Sequence, residues 1–127
     1  MAQAVLADAL PQMKVSSAGT DALVGKPAEP PAQRLMVMRG LDISGHRAQQ
    51  ISHSLCQQAD IILVMDHEQR RYLQSLYPLA TGKVYRLGEF ANLDVPDPYH
   101  QSPEMFEHTL AVIDSCTSGW IERMNRM

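Results

Sequence analysis

The chain has 127 residues, with 45% hydrophobic and 20% charged residues, which is the composition of one globular domain rather than of a disordered segment. A net charge of −3 with no basic run excludes a general nucleic-acid surface, and no apolar run approaches the roughly 18 residues of a membrane span. Cys56 and Cys116 stand far apart and outside any metal-ligand or redox spacing, and the five histidines are scattered. Lone cysteines and the lack of a secretory pattern at the start lead us to expect a cytoplasmic protein.

In chain order, Ala2, Val5, Leu6 and Ala9 recur at helical spacing, so the spacing predicts a helix over residues 2–10 that ends at Pro11. Nothing precedes this helix that would cap its leading N–H groups. Residues 13–17 read as a short strand, and Ser17 at its end could cap the next turn or reach into a site. A Gly/Pro-rich loop follows, and Pro30-Pro31 suit the first turn of a helix over residues 32–39 with Gly40 as the residue just past its end. Residues 41–46 form an extended connector. Residues 47–59 read as one short polar helix with Ile51 and Leu55 facing inward.

Ile61-Ile62-Leu63-Val64-Met65 is the clearest strand, and its unbroken apolar run predicts burial on both faces, as in a parallel sheet. Asp66 suits the N-cap of a helix running to about Tyr77. Residues 83–87 read as a further strand. Pro103 opens the longest helix, to about Met124, with Phe106, Leu110, Ile113, Cys116 or Thr117, Trp120 and Met124 along its apolar stripe. Cys116 on that stripe reads as core rather than nucleophile. The alternation of strands and helices predicts an α/β domain: a small, mainly parallel sheet between layers of helices, with no internal boundary across residues 1–127.

Val95-Pro96-Asp97-Pro98-Tyr99-His100 is the stretch that carries chemistry. Each proline fixes its own φ and keeps the preceding residue out of the helical region, so Asp97 sits on a stiff, extended loop. A carboxyl group held in one place suits a general acid, although Asp and Pro also punctuate ordinary turns. Ser17, Asp66 and the Asp97 loop all fall at carboxyl ends of expected strands, where sites in such folds lie. That convergence favours the functional reading.

Ser17-Ala18-Gly19-Thr20, Gly45-His46-Arg47-Ala48, the segments 59–65 and 83–88, and Asp94-Val95-Pro96-Asp97-Pro98-Tyr99 together resemble the bacterial low-molecular-weight protein tyrosine phosphatases. The likeness covers essentially the whole chain. It implies hydrolysis of phosphotyrosine in proteins, with no metal or organic cofactor. It implies further that Asp97 is the general acid, that Tyr99 and His100 line the slot for the substrate ring, and that Ser17 and His46 support the phosphate-binding loop. The partner class it implies is a phosphotyrosine protein, such as a bacterial tyrosine autokinase of exopolysaccharide synthesis.

One departure is decisive. The family nucleophile lies in a Cys-x5-Arg loop between a first strand and a first helix, yet here Cys56 is followed at that distance by Ile62 and Cys116 by Glu122. A thiolate must attack phosphorus and an arginine fork must grip its oxygens. Met1-Ala2-Gln3 aligns with the residues just after the family loop, so we expect a chain lacking the first strand and the loop, and inactive as it stands. The alternatives are a non-catalytic module that binds phosphotyrosine or a kinase, and arsenate reduction, which would need several cooperating cysteines.

Overall fold

The computed structural model describes residues 1–99 and 101–126. Helices and strands follow in the order α1 (Ala2–Ala9), α2 (Pro30–Met38), α3 (His53–Gln58), β1 (Ile62–Val64), α4 (His67–Leu76), β2 (Val84–Arg86) and α5 (Pro103–Asn125), with 3-10 turns at Pro78–Lys83 and Glu89–Ala91. The two strands pair in parallel, with Leu63 opposite Tyr85.

Strand alternation divides the apolar residues between two cores. Ile62, Val64 and Val84 pack with Cys56, Leu73 and Ala80 under α3 and α4. Ile61, Leu63, Met65 and Tyr85 face the larger core of Val5, Leu6, Met36, Leu87, Leu110, Ile113 and Trp120, built from α1, α2 and α5. The result is helix, sheet, helix, the expected α/β layering. The expectation of full burial of β1 is corrected: Val64 is buried, whereas Ile62 and Leu63 are half-buried, because the sheet has two strands and the outer edge of β1 is uncovered by a third.

Local chemistry explains the helix ends. Ser102 Oγ accepts from the Met105 N–H at 3.3 Å to start α5, with Pro103 at its first position. The α5 stripe then buries Phe106, Leu110 and Ile113, at roughly 1.5–3 kcal/mol each. At the end of α2, Gly40 takes φ 76°, and the N–H groups of Gly40 and Leu41 donate back to Val37 and Met36 at 2.9 Å. That double bond pattern is the glycine-terminated cap expected at this position.

Two expected elements differ. Residues 13–17 form no strand, since among the described residues no strand lies alongside to exchange backbone hydrogen bonds. The helix expected over 47–59 spans only His53–Gln58 and starts at Ser52, whose side chain accepts from the Leu55 N–H. Upstream, the backbone is committed elsewhere: Gly25 donates to Ala48 and Ala48 to Lys26, while Gly19 donates to Gln49 and Ile51 to Gly19, each at 2.9 Å. Those long-range bonds outweigh helical preference in residues 47–51.

Candidate functional site

A cavity of about 580 Å³ opens between the start of α1 and the carboxyl end of β1, and Ser17, His46, Asp66, Asp97 and Tyr99 all line it. Residues more than 30 positions apart in sequence therefore converge on one space, as expected for an α/β site. His100 lies outside the described residues.

Each side chain is held by its surroundings. Ser17 Oγ donates to Gln3 Oε1 at 2.5 Å, and Gln49 Nε2 donates to the Ser17 carbonyl at 2.8 Å. The Ser17 hydroxyl thus ties the segment after Val15 to α1. His46 is half-buried, and that burial pushes its imidazole below the usual value, with the Met1 amino group and Arg47 acting in the same direction. Asp66 Oδ1 accepts from the Gln69 N–H at 2.7 Å while Gln69 Oε1 accepts from the Met65 N–H at 2.8 Å, so Asp66 is occupied as the α4 cap. Asp97 is exposed at the rim, and its Oδ1 accepts from the Tyr99 N–H at 3.0 Å.

The cavity's charges are informative. Glu29, Asp42, Asp66 and Asp97 line it, and among the described residues no lysine or arginine does. The arrangement can deliver or accept a proton, but it presents no guanidinium to a phosphoryl group. Neither cysteine enters the cavity: Cys56 lies in the smaller core and Cys116 in the larger. Burial pushes both thiols up, which keeps them protonated. Among the described residues, no group of three His, Cys, Asp or Glu side chains could hold a metal.

Two contributors escaped sequence reasoning. Thr109 on α5 is buried at the cavity wall, and its hydroxyl has no hydrogen-bond partner among the described residues. Arg86, at the end of β2, is only 4% exposed. Its guanidinium donates to Asp94 and Asn92, at 2.9 Å each, and lies 3.4 Å from Glu89. The signal was present in the sequence: a charge two residues after buried Val84, followed by three acceptors before Asp97.

The chain thus joins a parallel α/β core to a proline-flanked carboxylate at a strand-end cavity. A family model described as low molecular weight phosphotyrosine protein phosphatase matches residues 1–127, and the chain belongs to that family. It is 46% identical, over all of its length and 88% of the other's, to a probable low molecular weight protein-tyrosine-phosphatase, EpsP, of Ralstonia solanacearum. It is 37% identical to the low molecular weight protein-tyrosine-phosphatase Wzb of Escherichia coli K12, across 91% of this chain and 79% of Wzb. The crystal structure of Vibrio vulnificus Wzb in complex with benzylphosphonate superposes with a TM-score of 0.92 at 36% identity, covering 96% of this chain and 87% of that one.

Proposed function

We propose that these residues form the acid-bearing part of a protein tyrosine phosphatase, and that turnover requires a Cys-x5-Arg segment that residues 1–127 do not contain. The observation that carries the reading is the convergence of Ser17, His46 and Asp97 on one cavity at the end of a parallel strand. In the complete reaction the thiolate attacks phosphorus, and the bond from phosphorus to the phenolic oxygen breaks. Asp97 gives its proton to that oxygen as it leaves. Asp97 then takes a proton from water as the water attacks the phosphocysteine, which releases phosphate and the thiolate.

Tyr99 and His100 hold the substrate ring, while Ser17 and His46 support the phosphate-binding loop from beneath. The required segment would add an apolar strand between the unpaired Val15 stretch and the open edge of β1, with its loop filling the cavity. No cofactor enters the reaction. The substrate is a phosphotyrosine protein, with a bacterial tyrosine autokinase of exopolysaccharide synthesis as the partner class, and the setting is cytoplasmic. The absence of the Cys-x5-Arg pattern favours one other reading, a non-catalytic module that binds phosphotyrosine.

Three proteins separate these readings: residues 1–127, the same chain with an apolar strand and Cys-x5-Arg-Ser-Pro placed before Met1, and that extension with Ser for its Cys. Initial rates on an aryl phosphate and a phosphotyrosine peptide should be at background for the first, restored in the second and lost in the third, with peptide binding retained. Thiol-dependent turnover by residues 1–127, or a folded but inert extended protein, would overturn the proposal. Saturable peptide binding by residues 1–127, with no turnover in any form, would establish the binding module instead.

A further inference from the structure

We infer that Arg86 is the positioning residue of the acid loop: its buried guanidinium fixes where the Asp97 carboxyl sits and so governs proton delivery to the leaving group. The inference rests on the phosphatase reading above. The loop is held to β1 at both ends, since the Leu87 N–H donates to Val64 at 2.7 Å and the Val95 N–H donates to Met65 at 2.8 Å. Between those anchors the backbone doubles back. Asn92 adopts φ 52°, a left-handed conformation that asparagine takes more readily than most non-glycine residues.

Arg86 closes this turn from inside. Nη2 and Nη1 donate to Asn92 and Asp94, while Nε lies 3.4 Å from Glu89 without a hydrogen bond to it. Glu89 also lies 3.6 Å from Arg70 on α4, so charges alternate from α4 through the turn to Asp94, next to the buried anchor Val95. Asp97 follows Val95 by two residues, one of them a proline of fixed φ. Little slack therefore separates the guanidinium from the acid. Without Arg86, Asn92 and Asp94 would lose the donors that tie them to the end of β2 and the turn would open. A lysine cannot replace it, because an ammonium is a point charge and lacks the planar fork that meets Asn92 and Asp94 together.

The test has two arms. In the extended, active protein, Arg86→Met keeps a stem of similar length but removes the fork. With an unactivated aryl phosphate, kcat should fall about 10- to 10²-fold, the scale of a misplaced catalytic group. With a strongly acidic leaving group that needs no proton, it should fall less than about threefold. Arg86→Lys should not rescue the loss, and Arg126→Met, which breaks the exposed pair with Glu122, should change neither rate. Equal losses on both substrates, or rescue by lysine, would overturn the inference.

The second arm needs no activity. In residues 1–127, Arg86→Met should speed hydrogen exchange at the Leu93, Val95 and Tyr99 amides while leaving Gly19 and Ile51 as they were. Unchanged exchange at Val95 and Tyr99, or uniform acceleration throughout, would equally overturn it. If the extended protein fails to turn over at all, the phosphatase reading fails, and this arm still decides whether Arg86 holds the loop.

Discussion

The indole Nε1–H of Trp120 donates to the carbonyl oxygen of Leu87 at 2.8 Å, which joins the C-terminal part of α5 to the residue where the acid loop begins. Both partners are buried, at 6% and 1% exposure, and Phe90 and Tyr85 pack against the indole at ring-centroid distances of 4.7 and 5.6 Å. Trp120→Phe keeps an aromatic ring but strands the Leu87 carbonyl in an apolar site. It should cost about 1–3 kcal/mol of stability, read as a lower urea midpoint with an unchanged slope.

Gly88, the next residue, has no room for a side chain. A Cβ there would lie 2.2 Å from the Leu93 carbonyl oxygen, inside the turn that Leu93 closes by donating to Gly88 at 3.0 Å. Gly88→Ala should destabilise by about 1–3 kcal/mol. Gly82, by contrast, has nothing within 4 Å of a built Cβ, so Gly82→Ala should be neutral or should stabilise by up to about 1 kcal/mol. Equal midpoints for the two variants in urea would contradict the packing described for the turn.

The half-buried His46 makes stability depend on pH in a stated direction. Its folded value lies below the ordinary 6.5, chiefly through burial, so the unfolded chain takes up the proton first as pH falls. The stability associated with neutral His46 is complete above about pH 6.5 and is lost below it as pH falls toward the folded value. Asp94 acts in a separate, lower window: its hydrogen bond from Arg86 holds it below 3.8, so its contribution is lost only in stronger acid. Denaturant midpoints at pH 7.5 and 5.5 should differ less in His46→Gln than in the parent chain. Identical pH dependence would remove His46 from this role.

The two thiols should be silent in the folded state. Both are buried and pushed up by that burial, so an aryl disulfide reagent should react slowly with residues 1–127 and fully once they are unfolded. A fast-reacting thiol in the native protein would place a nucleophile where the fold shows none.

What could be read in advance was local. The apolar run at Ile61–Met65, the Asp66 cap, the Gly40 terminator and the α5 stripe each express their structure within a few residues, and each formed within one or two residues of its expected bounds. Residues 47–51 misled because their backbone bonds go to Gly19, Gly25 and Lys26, partners that no window of local periodicity contains. Residues 13–17 had the residues of a strand but no neighbour to pair with. That Ser17 and His46 share a cavity with Asp97 was suggested by the family likeness, since the strand expected before Ser17 does not form and no strand end predicted His46. Arg86 was missed for a plainer reason: a charge near a strand end reads as solvent-facing, and its shared strand face with Val84 was not weighed against that.

The most direct measurement is the leaving-group dependence of Asp97→Asn in the protein extended with the Cys-x5-Arg segment. Removing the proton leaves the thiolate able to attack but makes the phenolate depart unassisted. The rate should fall by about 10²–10⁴ on phosphotyrosine and other aryl phosphates with weakly acidic phenols, and progressively less as the leaving group becomes more acidic. Losses of equal size across leaving groups of widely different acidity would contradict the assignment of Asp97 as the acid.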